Sequence, residues 1–346
     1  MALQRPFLVF LGDSKDIREA KTAFGVVQWR PEWCIGQHRM PGCGHDLGLP
    51  DLTIGEAAGA GARTLLIGLS TAGGLFRPQW LPTLLEAIAA GLDIAAGLHD
   101  CLGAVPELAE AARRRGVTLH DIRHHRGPFP PATLAPRRGR RLLTVGTDQN
   151  LGKKYTALAI ERELRRRGID ADFRATGQTG IMISGHGIPL DALTGASAIG
   201  AVEALTPASH DDHWDVIEGQ GCVLSPATSA SPALVVGAAA QAYVLCHEPT
   251  RTHMNGLPHV PIPAIGAVMD AVRAIGRGVS PDGRFVGISV NTSALGAEEA
   301  RTLLDALSEE FGMPATDPIR FGAEPIVDAL LRDFPTRSRP DGAAAP

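Results

Sequence analysis

The sequence predicts an α/β protein in two parts: a Rossmann-like N-terminal domain, then a P-loop NTPase-like parallel-sheet domain. Three observations carry that expectation. Short apolar runs alternate with segments of helical period along the chain, the pattern of a parallel sheet with helices packed on it. One junction, Arg141 to Arg167, reads as strand, glycine-bounded loop and helix. The length, 346 residues, exceeds what one small core uses and favours two domains. The expected boundaries are 1–125 for the first domain, 126–140 for a linker and 141–335 for the second domain, with 336–346 a disordered tail.

In the first domain Phe7–Leu11 reads as a strand ending at Gly12-Asp13-Ser14, followed by a helical pattern from Ile17 to Phe24. Thr64–Leu69, Asp93–Gly97 and Val117–Ile122 are further strands, and Leu81–Ala90 and Val105–Arg115 are helical. Trp29 to Gly48 fits neither period and is expected to be a long ordered loop, the kind that more often serves function. His124 to Arg140, rich in Pro, Arg and Gly, breaks both periods. Its arginines, Arg137, Arg138, Arg140 and Arg141, read as a solvated linker patch.

The second domain opens on the strand Leu142–Val145 and the loop Gly146-Thr147-Asp148-Gln149-Asn150-Leu151-Gly152-Lys153-Lys154. A helix from Thr156 to Arg167 follows. Such a loop turns backbone N–H groups and a helix N-terminus toward an anion, and the lysine adds positive charge. Two features separate it from a nucleotide-hydrolysing loop. Five residues stand between the glycines instead of four, and Lys154 occupies the place of the Mg²⁺-binding Ser or Thr. An ammonium attracts phosphate but cannot ligate a metal. Four more strands, Ala171–Ala175, Trp214–Ile217, Ala242–Cys246 and Arg284–Val290, each lead into polar or glycine residues. In an open parallel sheet those ends share one rim with the loop.

A charge of −4 with 20% charged residues gives no reason to expect nucleic acid or an acidic membrane as partner. No run approaches the length of a membrane span, and Phe7–Leu11 reads as a strand rather than a signal peptide. Five scattered cysteines fit a reducing compartment, so a cytoplasmic protein is expected. No metal is expected: Cys34, Cys43 and His45 lack a CxxC pair or a second His cluster.

The phosphate loop, with Glu218-Gly219-Gln220-Gly221 after a strand, resembles dethiobiotin-synthetase-like P-loop proteins. Longer motifs cover nearly the whole chain: LGDS at Leu11–Ser14, RPEWCIGQ at Arg30–Gln37, GKKYTALAIERE at Gly152–Glu163 and RATGQTGI at Arg174–Ile181. WDVIEGQG at Trp214–Gly221, CHEPTRTHM at Cys246–Met254 and GISVNTSAL at Gly287–Leu295 complete the set. Together they resemble the DgcN-type amino-acid (D-glutamate) N-acetyltransferases, a family formerly catalogued as a domain of unknown function. The resemblance implies transfer of acetyl from acetyl-CoA to the α-amine of D-glutamate or a relative, and a partner dehydrogenase that consumes the product. A small-molecule amino-acid substrate and a homo-oligomer are the expected partners. The chain departs from the family pattern at Ala196-Ser197, where Asp-Phe is usual, at Gln149-Asn150, and at Cys222-Val223-Leu224-Ser225-Pro226 after EGQG.

Gly146, Thr147, Asp148, Gly152, Lys153, Lys154, Tyr155 and Thr156 are the expected contacts to the CoA phosphates. Acyl transfer to an amine needs a base, for which Glu218, Asp191 and His247 are the candidates. Arg251 offers a planar fork to a substrate carboxylate, and Gln178 and Gln220 are expected at the substrate. Two other readings stay open: an ATP- and Mg²⁺-dependent kinase or ligase with Asp148 and Glu218 on the metal, and a CoA- or nucleotide-binding regulator without catalysis.

Overall fold

The computed structural model describes residues 3–17, 19–124, 129–193 and 195–335; the tail expected at 336–346 lies outside them. The strands in chain order are β1 (Phe7–Gly12), β2 (Cys34–Arg39), β3 (Thr64–Ile67), β4 (Asp93–Ala96), β5 (Leu119–Asp121), β6 (Arg140–Gly146) and β7 (Ala171–Arg174). They continue with β8 (Trp214–Ile217), β9 (Ala242–His247), β10 (His253–Met254), β11 (Leu257–Pro261), β12 (Arg284–Val290) and β13 (Ala315–Thr316). The chain divides into two compact units, one of residues 1–127 and 177–192, the other of 128–176 and 193–346. Residues 177–192 pack with the first unit.

The first unit is a five-stranded sheet of order β2-β1-β3-β4-β5, parallel at every pairing. Its central strands are apolar on both faces: β1, β3 and β4 are buried throughout, as a sheet covered on two sides requires. The helix Gln178–Ser184 joins this unit beside Lys21–Trp29, with Thr179 Oγ1 2.8 Å from Thr22 Oγ1.

Two expectations for this unit are corrected. The Trp29–Gly48 stretch is not all loop, because Cys34–Arg39 forms the edge strand β2 on β1. Its residues Gly36, Gln37 and His38 break an apolar alternation, since Gln37 is buried by bonding Asp46 and Leu47 N rather than by packing. The first helix runs Lys21–Trp29, not Ile17–Phe24. Before it, Ser14 donates to Glu19 and Arg77 binds Glu19, so the polar groups of that stretch are engaged away from a helix.

The second unit is a six-stranded parallel sheet of order β13-β12-β9-β6-β8-β7. β6, which carries the phosphate loop, lies between β8 and β9. Chain order reverses around β6, so the crevice beyond its C-terminal end is where such sheets bind ligands. A small antiparallel pair, β10 with β11, follows β9.

The arginine patch is also corrected. Arg137 is no solvated linker residue: it donates to Glu203 O at 2.9 Å, Thr206 O at 3.0 Å, Gly237 O at 2.8 Å and Ala238 O at 3.2 Å. These carbonyls end the helices Gly195–Leu205 and Ala230–Ala238, so one guanidinium satisfies two helix C-termini. Arg137 is half-buried and Arg141 buried, and burial pushes both guanidinium pKa values down. Arg138 does remain exposed. Among the described residues, no helix is long and apolar enough to cross a membrane.

Candidate active site

The loop after β6 turns on two positive dihedrals, Asn150 at φ 58° and Gly152 at φ 105°, immediately before the helix Lys153–Arg166. Successive turns of this kind gather N–H groups into a concavity suited to anions. Gly152 supplies a conformation that a side chain resists, and it stands at the helix N-cap.

The lysine pair splits. Lys153 is buried, with its Nζ 2.5 Å from Asp148 O inside the loop. Burial lowers its pKa, against the pull of Cys246, Cys222, Asp148 and Glu218 nearby. Lys154 places its ammonium over the Tyr155 ring, 4.5 Å from the centroid. Burial, followed by the Glu218 charge, raises the Tyr155 pKa. Thr156 Oγ1 faces the interior instead, 2.7 Å from Ser289 Oγ. The nearest aliphatic hydroxyl after the lysines is therefore turned toward Ser289.

Glu218 and His247 flank the loop because β8 and β9 flank β6. Glu218 is buried and accepts the Thr176 N–H at 2.9 Å, while Thr176 Oγ1 donates to Glu218 O at 2.7 Å. Gln220 Nε2 reaches the same Thr176 hydroxyl at 3.0 Å. Gly219 lets this strand end approach: a Cβ there would stand 1.7 Å from Thr144 O and 2.9 Å from Lys153 Cδ. On the other side His247 Nδ1 lies 3.0 Å from Thr147 Oγ1, and burial lowers its pKa. Lowered, the imidazole is neutral near pH 7 and able to take a proton.

Arg251 is committed within the protein. Its Nη1 donates to Asp148 Oδ2 at 2.8 Å and Gln149 O at 2.7 Å, and its Nη2 to Glu248 Oε2 at 2.7 Å. Asp148 Oδ2 also accepts the Asn255 N–H at 2.7 Å, and Gln149 Nε2 donates to Asn255 O at 3.0 Å. Asn255 was not among the expected site residues. The signal was present: Asn255-Gly256 is a two-residue turn dipeptide, and it joins β10 to β11 with Gly256 at φ 77°.

Gln178 and Asp191 are not in this unit. In the first unit Gln178 Oε1 accepts Arg123 Nε at 3.2 Å, and Arg123 Nη1 pairs with Asp191. A Cβ on Gly97, which follows β4, would stand 1.9 Å from Gln178 Oε1, so glycine admits the amide there. The first unit carries a second polar cluster beyond β1. Arg77 bridges Asp13 at 3.2 Å and Glu19 at 2.7 Å, and Ser14 Oγ lies 2.7 Å from Glu19 Oε2 and 3.4 Å from His45 Nε2. Burial acts to raise the Asp13 pKa, but hydrogen bonds from Trp80, Gln79 and Arg77 hold it at about 2. The order β2-β1-β3 makes this end of β1 the switch point of its own sheet.

Residues 131–327 match the domain of unknown function DUF1611_C, a P-loop domain, and residues 37–125 match DUF1611_N, a Rossmann-like domain. The chain belongs to the DUF1611 family. Its similarity to two D-glutamate N-acetyltransferases extends end to end. The protein of Tritonibacter scottomollicae is 47% identical over 329 residues, covering 95% of this chain and 99% of the relative. That of a Pseudoalteromonas species is 41% identical over 331 residues, covering 95% and 100%. The crystal structure of a DUF1611 family protein from Anabaena variabilis shares the fold with a TM-score of 0.83 at 30% identity, covering 95% of this chain and all of that one. The DUF1611 assignment thus agrees with the fold and with the family that the motifs resemble.

Proposed function

We propose that this DUF1611 protein is an N-acetyltransferase that moves acetyl from acetyl-CoA to the α-amine of D-glutamate or a close relative, by direct transfer. The observation that supports it most is end-to-end similarity to two proteins bearing that activity in their names. The donor set of the loop supports CoA over a metal-bound nucleotide. Lys154 replaces the metal-binding hydroxyl, Thr156 Oγ1 is engaged with Ser289, and the Asp148 carboxylate is engaged with Arg251 and Asn255 N–H. Lysine ammonium and backbone N–H groups at this loop are donors of the kind that suit the phosphates of CoA.

Acetyl-CoA would supply an activated acyl group as its thioester. A neutral amine must attack the thioester carbonyl, so the ammonium first gives up one proton; the N–C bond forms, the C–S bond breaks, and the second proton on nitrogen passes to the departing CoA thiolate. His247 is the proton acceptor in this reading, because burial keeps its imidazole neutral. Glu218, bonded by Thr176 N–H, orients the rim beside it.

A thermal-shift comparison tests the cofactor. Acetyl-CoA should raise the Tm without Mg²⁺, since a ligand that binds only the folded state stabilises it by mass action, and D-glutamate should then release free thiol. Stabilisation by ATP only with Mg²⁺, and none by acetyl-CoA, would overturn the reading in favour of a kinase or ligase.

A further inference from the structure

We propose that Asp170, His210 and His213 bind a divalent transition-metal ion of the zinc type, at the sheet end opposite the phosphate loop. Asp170 directly precedes β7 and His213 directly precedes β8, so both stand at the N-terminal ends of neighbouring strands. The phosphate loop follows the C-terminal end of β6 in the same parallel sheet. The site is therefore separate from the transfer chemistry and does not rest on the proposed function.

His210 Nε2 and His213 Nδ1 each lie 2.7 Å from the same oxygen, Asp170 Oδ2. The three ligand atoms lie within 4.8 Å of one another, and this is the group of three or more such residues found among the described residues. Two imidazole nitrogens and a carboxylate oxygen suit zinc and its neighbours in the first transition row, whereas Mg²⁺ and Ca²⁺ prefer oxygen alone. Bonds of about 2.0–2.1 Å place tetrahedral ligand atoms roughly 3.3 Å apart. The two contacts at Asp170 thus need to open by only about half an ångström. Asp170 and His210 are more than half exposed, at 58% and 56%, and can make that adjustment.

A second observation concerns the buried ring. His213 Nε2 lies 3.2 Å from Asp215 Oδ1, which itself accepts Arg174 Nε at 2.5 Å. A carboxylate behind one ring nitrogen fixes the ring so that the other faces the metal, the usual support of a metal-bound histidine. Here that other nitrogen is Nδ1, aimed at Asp170. The backbone holds the remaining parts in place. His213 N donates to His210 O at 3.1 Å, closing the His-x-x-His turn, and Trp214 N donates to Asp170 O at 3.0 Å. The intervening Asp211 and Asp212 face Arg138 and Arg140, at 3.0 Å and 3.7 Å. A metal here would take the place of protons at His210 Nε2 and His213 Nδ1, and water would complete its shell. It would clip the turn before β8 to the turn before β7.

The test is calorimetric titration of the tag-free, chelator-stripped full chain with Zn²⁺ alone, repeated on His210→Ala and Asp170→Asn. Both substituted side chains are exposed, so circular dichroism should show folded proteins. The wild type should show a one-to-one binding step that each substitution weakens about ten-fold or more. Co²⁺ in its place should give visible d–d absorption without a thiolate charge-transfer band. No Zn²⁺ uptake by the wild type, or a step unchanged in both variants, would overturn the proposal. Thiolate absorption with Co²⁺ would also overturn it, by moving the ion to a cysteine.

Discussion

Arg251 Nη1 stands 2.8 Å from Asp148 Oδ2, and this pair ties the phosphate loop to the segment after β9. Asp148 is almost fully buried, so its carboxylate depends on Arg251 and on the Asn255 N–H for the bonds that water would otherwise supply. The guanidinium expected at a substrate carboxylate is bonded here to two of the protein's own, Asp148 and Glu248.

Arg251→Ala should therefore act on the loop. Leaving a buried charged acceptor short of a partner costs about 1–3 kcal/mol, to be read as lowered stability in urea unfolding. Acetyl-CoA affinity should fall with it. Arg251→Lys keeps the charge but loses the fork, and should be intermediate. Unchanged stability together with a raised KM for the amino acid alone would return Arg251 to the substrate pocket.

Both lysines should affect acetyl-CoA binding under mutation. If each meets a CoA phosphate, each contact is a charge-assisted hydrogen bond of roughly 1.5–3 kcal/mol. Lys153→Ala should then weaken acetyl-CoA by roughly one to two powers of ten, since about 1.4 kcal/mol is tenfold. Lys154→Thr restores the hydroxyl of a hydrolytic loop, and should weaken acetyl-CoA without creating ATPase activity. Calorimetry on the three proteins decides it: equal affinities would remove the loop as the phosphate site.

The pH dependence isolates His247. Its folded pKa is lowered by burial, so it binds fewer protons folded than unfolded. Its contribution to stability is present above the unfolded value of about 6.5 and is lost as pH falls through the folded pKa. The stability of wild type minus that of His247→Gln should thus decline on acidification below about pH 6.5. His213, whose pKa is raised chiefly by its bond to Asp215, contributes in the opposite sense but is common to both proteins and cancels. As the proton acceptor, His247 should also give kcat/KM an acid limb set below the usual imidazole range. A difference curve flat with pH would show that His247 titrates alike in both states, and an unaltered acid limb in His247→Gln would assign the base elsewhere.

Sequence alone determined the parts whose cause is local. The apolar runs of β8 and β12 match the observed strands end to end, because consecutive buried residues define a strand covered on both faces. The loop from Gly146 to Lys154 and its helix were legible for the same reason: glycine conformation, strand and helix period are written in neighbouring residues. Their placement beside Glu218 and His247 followed from the rule that parallel strands end on one rim. Only the tertiary structure decided which partner each polar group takes. Arg251 meets Asp148 across 103 residues of chain, Arg137 reaches two helix ends rather than water, and Gln178 and Asp191 pack with the first unit. Asp170 finds His210 and His213 forty-odd residues later in the same way. Hydrophobic period records that a side chain is buried or exposed. The choice among several arginines or carboxylates depends on distance and desolvation in the folded chain, and no neighbouring residue carries that information.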